Sequence, residues 1–393
     1  MMSQNNVLVA FGGVSPEHEV SVLTALQAIA ALNDKYNPIP LYITKHGKWL
    51  TGDSLLELEN YQDLVNLEAH AESCTLAFAE NGKAVLLETK TGFFSKPRAT
   101  PLYAVLNAFH GADGENGSFQ GVCEMFNLPS TGAGVTGSAV GMDKRMAKDL
   151  CSAHDIPVTK HVWFNEQKWI DSEDAIKEEI TRLGFPVFIK PVHLGSSIGV
   201  TRAVSVETAG EAIETAFRYD PELIVEEAIH PLLEVNCSVL GDENNARASV
   251  CEQPIGREEI LSFDDKYMSG DSGGKGMASA ERKIPAPIPD ELTHHIQELS
   301  VKIFKLLKVS GVARLDFLIN ADTQKVFFNE INTIPGSFSF YLWDKSGTDF
   351  PDLLDELITI AVRQNQLKNS RVRSYETNLL STKSVKGIKG LKK

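Results

Sequence analysis

Two stretches, Gly311-Val-Ala-Arg-Leu-Asp-Phe-Leu-Ile-Asn320 and Val326-Phe-Phe-Asn-Glu-Ile-Asn332, decide how this chain is read. Both are rich in Phe, Leu, Ile and Val, and Ala321-Asp-Thr-Gln324 between them is turn-like, so they predict a hairpin. Side chains alternate along a strand, so Arg314 and Asp316 point the same way, as do Glu330 and Asn332. Paired, the strands bring one guanidinium, two carboxylates and a carboxamide onto one surface. Oxygen donors of this kind suit Mg²⁺, which binds through a few carboxylates plus phosphate oxygens. A plain surface hairpin with a salt bridge uses the same residues, and the rest of the chain has to discriminate.

At 393 residues the chain exceeds one ordinary core, and two or three domains are expected. Its 42% hydrophobic and 23% charged residues describe a globular protein. No apolar run approaches the ~20 residues of a membrane span, which predicts no membrane insertion. The N-terminal Met-Met-Ser-Gln-Asn-Asn lacks a basic signal region, and five cysteines form no C-x-x-C pair. Buried reduced thiols in a cytoplasmic protein are the expectation. A net charge of −14 argues against nucleic-acid binding. Only the tail from about residue 366 is basic, and it predicts a solvated, flexible end.

Working outward, Val7–Phe11 reads as a buried strand ending in Gly12-Gly13. Ser15 offers an N-cap and Pro16 a first helical residue. Strand, glycine turn and helix start an α/β unit, and residues 53–72 look helical. Asn81-Gly82 marks a hairpin between Cys74–Phe78 and Ala84–Glu88. A second unit begins after Pro129-Ser-Thr-Gly-Ala-Gly134, with a helix over 142–153 and a strand from Pro186 to Pro191. A third runs from about 235 to 365. The expected division is 1–130, 131–234 and 235–365, followed by the tail 366–393.

Three lysines stand where phosphate chemistry wants them. Lys190 ends a strand and precedes Gly195-Ser-Ser-Ile-Gly199, a loop of small residues that lets backbone N–H groups approach phosphate oxygens. Lys148 lies on a predicted helix. Lys266 leads into the glycine-rich loop 268–276, which can close over a ligand as a lid. Ile224-Val-Glu-Glu-Ala-Ile229 reads either as a capped strand with solvated acids or as a nucleotide hinge.

The order of motifs is recognisable. Phe11-Gly-Gly-Val-Ser-Pro-Glu-His-Glu-Val-Ser21, His110-Gly-Ala-Asp-Gly-Glu-Asn-Gly117, Met142-Asp-Lys with Lys148, Lys190-Pro with Gly195-Ser-Ser197, Asp265-Lys-Tyr267 and Asn329-Glu-Ile-Asn-Thr-Ile-Pro-Gly336 follow one another. This succession resembles the D-alanine–D-alanine ligases, a family of ATP-grasp carboxylate–amine ligases, over about residues 7–360. The resemblance implies an α/β (α+β) chain with an N-terminal Rossmann-like domain followed by a two-lobed ATP-grasp fold. It implies ATP as substrate, two Mg²⁺ ions (Mn²⁺ as substitute), a homodimer, and a role in peptidoglycan precursor synthesis.

Carried over residue by residue, the resemblance implies that Asp316, Glu330 and Asn332 hold the metal. Lys148 and Lys190 would contact the inner phosphates and Lys266 the γ-phosphate, with Glu226 and Ile229 at the adenine and Glu234 at the ribose. Glu17 would hold the ammonium of the first D-alanine, with His110 near its carboxylate. Ser196 and Tyr267 would join Glu17 in a network, and Arg314 with the Gly336 N–H would form the oxyanion site. Two positions depart from the family pattern. Asn116 replaces a usual acid, and Ser337-Phe-Ser-Phe-Tyr-Leu-Trp343 is aromatic where many members place a serine-rich helix start. Tyr341 and Leu342 then fall nearest the second-substrate positions, with Ser337 and Ser339 as other candidates. Acceptors other than D-alanine (D-lactate, D-serine or another amino acid) therefore stay open. An inactive homologue that only binds nucleotide would require loss of the metal ligands or of Arg314, and all are present.

Overall fold

The computed structural model describes residues 5–89, 97–255 and 282–374. Its first sheet has seven strands: β1 (Asn5–Gly12), β2 (Tyr36–Ile43), β3 (Trp49–Thr51), β4 (Glu72–Phe78), β5 (Ala84–Glu88), β6 (Arg98–Pro101) and β7 (Ala104–Asn107), in the order β6-β5-β4-β3-β2-β1-β7. β1 runs parallel to β2 and β7, and the remaining pairs are antiparallel. The apolar run of β1 is buried on both faces, as a central strand requires. Val7, Val9 and Phe11 pack toward α1 (His18–Ala31), while Leu8 and Ala10 pack toward α4 (Ser118–Met125). Between these, α2 (Leu64–His70) and α3 (Ala112–Glu115) are short.

The next unit contains α5 (Val135–Met142), α6 (Lys144–Ala153), β8 (His161–Asn165), α7 (Glu166–Leu183), β9 (Val187–Pro191), β10 (Thr201–Ala203), α8 (Val206–Ala216) and β11 (Glu222–Glu227). Its antiparallel sheet has the order β10-β9-β11-β8. Ile176 and Ile180 of α7, with Ala209 and Ile213 of α8, close a core of its own against Val187, Ile189, Leu223 and Val225.

The last unit contains β12 (Leu232–Gly241), β13 (Arg247–Pro254), β14 (Arg282–Lys283), α9 (Asp290–Leu306), β15 (Gly311–Asn320), β16 (Val326–Asn332), α10 (Phe340–Lys345) and α11 (Phe350–Asn369). Its strands run antiparallel in the order β14-β13-β12-β15-β16. Ile296, Ile303 and Phe304 of α9 bury one face, where Val235, Cys237, Val239, Leu315 and Phe317 point. The opposite face carries the polar side chains of the site. Leu353, Leu354, Leu357 and Ile358 of α11 belong to the same core as Val7, Val9 and α1, so the first and last units share a hydrophobic interior.

Several sequence expectations change in detail. Helix α1 starts at His18 rather than at Ser15-Pro16, because the Ser15 hydroxyl is used elsewhere: it donates to the His110 carbonyl at 2.7 Å and accepts from Glu17 N at 3.1 Å. The helix expected over 142–153 is α6, which starts two residues later at Lys144 because the Asp143 side chain caps it through Met146 N at 2.8 Å, while Met142 ends the preceding α5. Residues 53–72 hold two 3₁₀ turns, Asp53–Leu56 and Leu58–Gln62, before α2 and the start of β4. All five cysteines are buried free thiols. Among the described residues no helix is long and apolar enough to cross a membrane.

Candidate active site

β15 and β16 pair with Arg314 opposite Asn332 and Asp316 opposite Glu330, which brings the four side chains onto one face. Arg314 forks onto Asp316 through Nε–Oδ1 and Nη2–Oδ2 contacts, each of 2.7 Å. Asn332 Nδ2 donates to Asp316 Oδ2 at 3.3 Å. Burial opposes the charge on Arg314, yet Asp316 and the hydrogen bonds to it hold the guanidinium firmly protonated. The ladder slips by one residue after Asp316, leaving Asn329 as the extra residue of a bulge. That bulge aims Asn329 Oδ1 at Lys190 Nζ, which donates to it at 3.1 Å.

Lysines gather above this hairpin. Lys144, which sequence reading passed over, sits with Nζ 3.5 Å from Glu330 and also donates to the Leu194 carbonyl, linking the serine loop to β16. Lys148 is wholly buried and donates to Thr159 Oγ1 and to the Phe328 carbonyl, both at 3.3 Å. Lys148 and Lys190 flank one oxygen of Glu226 at 3.2 and 3.1 Å, and Thr159 donates to it at 2.7 Å. Burial alone would raise the Glu226 carboxyl, but the two ammonium groups hold it far below the usual range. Ile229 and Glu234 lie in and just beyond the short link between β11 and β12, which joins the four-stranded sheet to the five-stranded one, and both are half-buried.

The end of the site near Glu17 is built from loops. Ser196 Oγ donates to Glu17 Oε1, and a Cβ added at Gly111 would stand 2.6 Å from Glu17 Oε2, so glycine is needed there as well as for its φ of +66°. Ser196 and Ser197 hold left-handed backbone, with φ of 53° and 58°. Such strain outside glycine collects where side chains must be aimed. His110 exchanges a hydrogen bond with Thr24 Oγ1 at 2.8 Å, and Thr24 in turn accepts from Ser337 N at 3.1 Å. Burial lowers the His110 imidazole to about 4, so it is neutral. Glu115 accepts from Gly111 N at 3.0 Å, Ile334 N at 3.0 Å and Thr333 Oγ1 at 3.1 Å, tying the first unit to the segment after β16. Burial and the nearby Glu17 charge push its carboxyl up to about 7.

Glu17, His110, Lys144, Ser196, Arg314 and Gly336 line one polar pocket together with Glu330 and Asn332. Beyond Gly336, Ser337, Phe338 and Ser339 form a left-handed turn with φ of 51°, 54° and 51°. Ser337 Oγ is taken up by Gln27 at 2.6 Å, Leu342 is fully buried, and Tyr341 donates its hydroxyl to Glu252 at 3.1 Å. Lys266, Tyr267 and the glycine-rich loop lie outside the described residues.

The hairpin donors suit a hard divalent cation. Among the described residues no three His, Cys, Asp or Glu side chains converge. The set is two carboxylates plus the Asn332 amide, whose oxygen and nitrogen exchange places by a flip. Arg314 and Lys144 balance the two carboxylates in this structure.

A Rossmann-like unit followed by two antiparallel lobes, with lysines and acids converging where the lobes meet, defines the ATP-grasp class. Residues 6–133 match the family description "D-ala D-ala ligase N-terminus" and residues 150–359 match "D-ala D-ala ligase C-terminus". A D-alanine–D-alanine ligase of Thermosipho melanesiensis is 36% identical over 96% of this chain and 99% of its own. The structure of the D-alanine-D-alanine ligase from Coxiella burnetii superposes with a TM-score of 0.78 at 28% identity, covering 98% of this chain and 99% of that one. VanG D-Ala:D-Ser ligase from Enterococcus faecalis gives a TM-score of 0.76 at 31% identity, covering 91% of this chain and 100% of its own. The chain belongs to the D-alanine–D-alanine ligase family.

Proposed function

We propose that the protein joins two D-alanine molecules to D-alanyl-D-alanine at the expense of ATP, releasing ADP and phosphate, as a step in peptidoglycan precursor synthesis. The observation that carries this reading is the single pocket in which the Glu17–Ser196 pair faces Arg314, Glu330 and Asn332. One wall suits an ammonium group, the other a transferred phosphoryl group, and the space between suits a small amino acid.

Joining a carboxylate to an amine in water is uphill, so the carboxylate must first become an electrophile. Its oxygen attacks the γ-phosphorus of ATP, the bond to ADP breaks, and an acyl phosphate forms. Lys148 and Lys190 oppose phosphate charge, with Glu226 and Asn329 fixing where their ammonium groups lie. Asp316, Glu330 and Asn332 would hold Mg²⁺, or Mn²⁺, which when bound neutralises phosphate oxygens. Glu17 and Ser196 orient the first amino acid, and neutral His110 stands near its carboxylate without adding charge. The second molecule then attacks the acyl carbon as its free amine, and the proton lost by that nitrogen leaves with the phosphate. Arg314 and the Gly336 N–H face the developing oxyanion, and collapse expels phosphate. Lys266 and Tyr267 belong to this reading by family resemblance. So do a cytoplasmic homodimer, adenine contacts from Glu226 and Ile229, a ribose contact from Glu234, and a second-substrate site near Ser337, Tyr341 and Leu342.

Incubation with ATP, Mg²⁺ and D-alanine should release one phosphate per dipeptide, read by a phosphate assay beside mass spectrometry. Phosphate release without dipeptide sinks the reading.

A further inference from the structure

Strand β9 ends at Pro191, and Val192 N still reaches the Glu222 carbonyl of β11 at 3.1 Å. His193 is the first residue beyond that sheet, and Ser196, three residues on, donates to Glu17. A Cβ added at Gly195 would stand 3.1 Å from Glu17 Oε2, so the loop runs hard against the carboxylate. Left-handed backbone at Ser196 and Ser197 persists only where the surrounding structure over-determines it.

The contacts that fix this loop come from two bodies. Asp220, in the turn between α8 and β11, accepts from His193 N at 2.6 Å and lies 3.1 Å from its Nδ1. Glu222 N donates to the same carboxylate at 3.0 Å. Both α8 and β11 contribute to the core of the four-stranded unit. From the other side, the Asp143 carboxylate stands 3.6 Å from His193 Nε2. Asp143 caps α6, which precedes the four-stranded sheet in the chain but does not share its core. Ala147 and Cys151 of α6 lie with Phe317 and Phe328 in the core of the last unit. Lys144 at the start of α6 donates its backbone N–H to the Val192 carbonyl at 3.3 Å and its Nζ to the Leu194 carbonyl. Residues 192, 193 and 194 are thus each held by the first turn of α6 or by its cap.

The Asp143 and Asp220 side chains are 11% and 3% exposed, and both face one imidazole. They raise it to about 10, so the ring is charged at neutral pH. A neutral side chain there would leave two poorly solvated anions facing each other across the junction.

We propose that His193 is a positioning residue of the donor site. Clasped between Asp220 of the four-stranded unit and Asp143 of α6, it fixes where Gly195-Ser196 meets Glu17, and so where the ammonium group of the first amino acid is held. The imidazole acts through the loop, not on the substrate. This inference rests on the ligase reading above.

The test is steady-state kinetics of the full chain with ATP and Mg²⁺, resolving separate KM values for the first and second D-alanine, beside urea unfolding. His193→Ala should raise KM for the first D-alanine about 10-fold, the loss of one charge-assisted contact, with kcat and the other two KM values held within about twofold. His193→Gln, which keeps a donor for Asp220 and loses the charge, should behave like His193→Ala. His193→Lys, whose ammonium can reach both carboxylates, should recover most of the loss. Ser196→Ala should raise the same KM, and adding His193→Ala to it should change nothing more, since the loop then has no hydroxyl to place. Should His193→Ala not fold, His193→Gln and His193→Lys decide the matter. Folded variants with a wild-type KM for the first D-alanine overturn the proposal. An equal loss for ATP and both D-alanines marks a purely structural role and overturns it too, as do additive effects of the His193 and Ser196 changes or a lysine variant no better than alanine. Wild-type protein that makes no dipeptide overturns the ligase reading, and this inference with it, whereas the variants bear on the inference alone.

Discussion

Lys148 and Glu226 approach to 3.2 Å with side chains 0% and 1% exposed, an ion pair entirely out of water. Removing one partner leaves a buried charge, which typically costs about 3–5 kcal/mol. Lys190 remains beside Glu226 in a Lys148→Met variant, so the lower end, roughly 3 kcal/mol, is expected. Urea unfolding measures it, and weakened ATP binding should accompany it. A variant with both native stability and native ATP affinity would show that the pair is idle.

Arg314→Ala should lower turnover by about 10²–10³, the usual loss for one oxyanion donor. Asp316 then loses its forked partner, so metal-dependent nucleotide binding should persist, as calorimetry with ADP and Mg²⁺ can check. Turnover near wild type would contradict the oxyanion role.

Glu17→Gln keeps an acceptor for the Ser196 hydroxyl and removes the negative charge. Hydrogen bonds to charged groups contribute about 1.5–3 kcal/mol, so KM for the first D-alanine should rise roughly 10- to 100-fold. ATP affinity should not change. If KM for the second D-alanine rises instead, the donor assignment of Glu17 is wrong.

Glu115 gives a stability signature with a definite sign. Its carboxyl is raised from 4.5 to about 7, so the folded chain retains a proton that the unfolded chain has released. The associated stability is therefore complete below pH 4.5 and falls as pH rises through 7, by roughly 3 kcal/mol over the window. Glu115→Gln should flatten that slope in urea titrations between pH 5 and 8. Parallel slopes would remove Glu115 as the cause.

His193 should still be protonated at pH 8. The Asp143 carboxylate 3.6 Å from its Nε2 and the Asp220 carboxylate 3.1 Å from its Nδ1 raise its imidazole to about 10, and its contribution to stability is present below 6.5 and lost as pH rises through 10. Ring-proton NMR titration reads this directly, and a midpoint near 6.5 would mean the bridge between the α6 cap and the serine loop is open.

The hairpin was legible because period-two alternation leaves only one face for Arg314, Asp316, Glu330 and Asn332. The bulge at Asn329 was not, since Val326–Asn332 alternates no differently with or without one extra residue. Asp143 sits within a run of helix formers, and its capping use appears only when its backbone turns extended. Lys144 was not singled out in sequence, because the carbonyl and carboxylate it meets arrive from positions 50 and 186 residues away. Motifs within one segment are visible in sequence, whereas contacts between segments are set by packing.

The interior shared by the first and last units has a mechanical consequence. Helix α11 and β1 cannot part without exposing that core to water, and the Glu115 bonds to Thr333 and Ile334 cross the same junction. The four-stranded unit closes its core without either of them. Any swing of that unit therefore has to part Ser196 from Glu17 and Lys190 from Asn329, while Glu17, Arg314 and the acidic hairpin stay on one body.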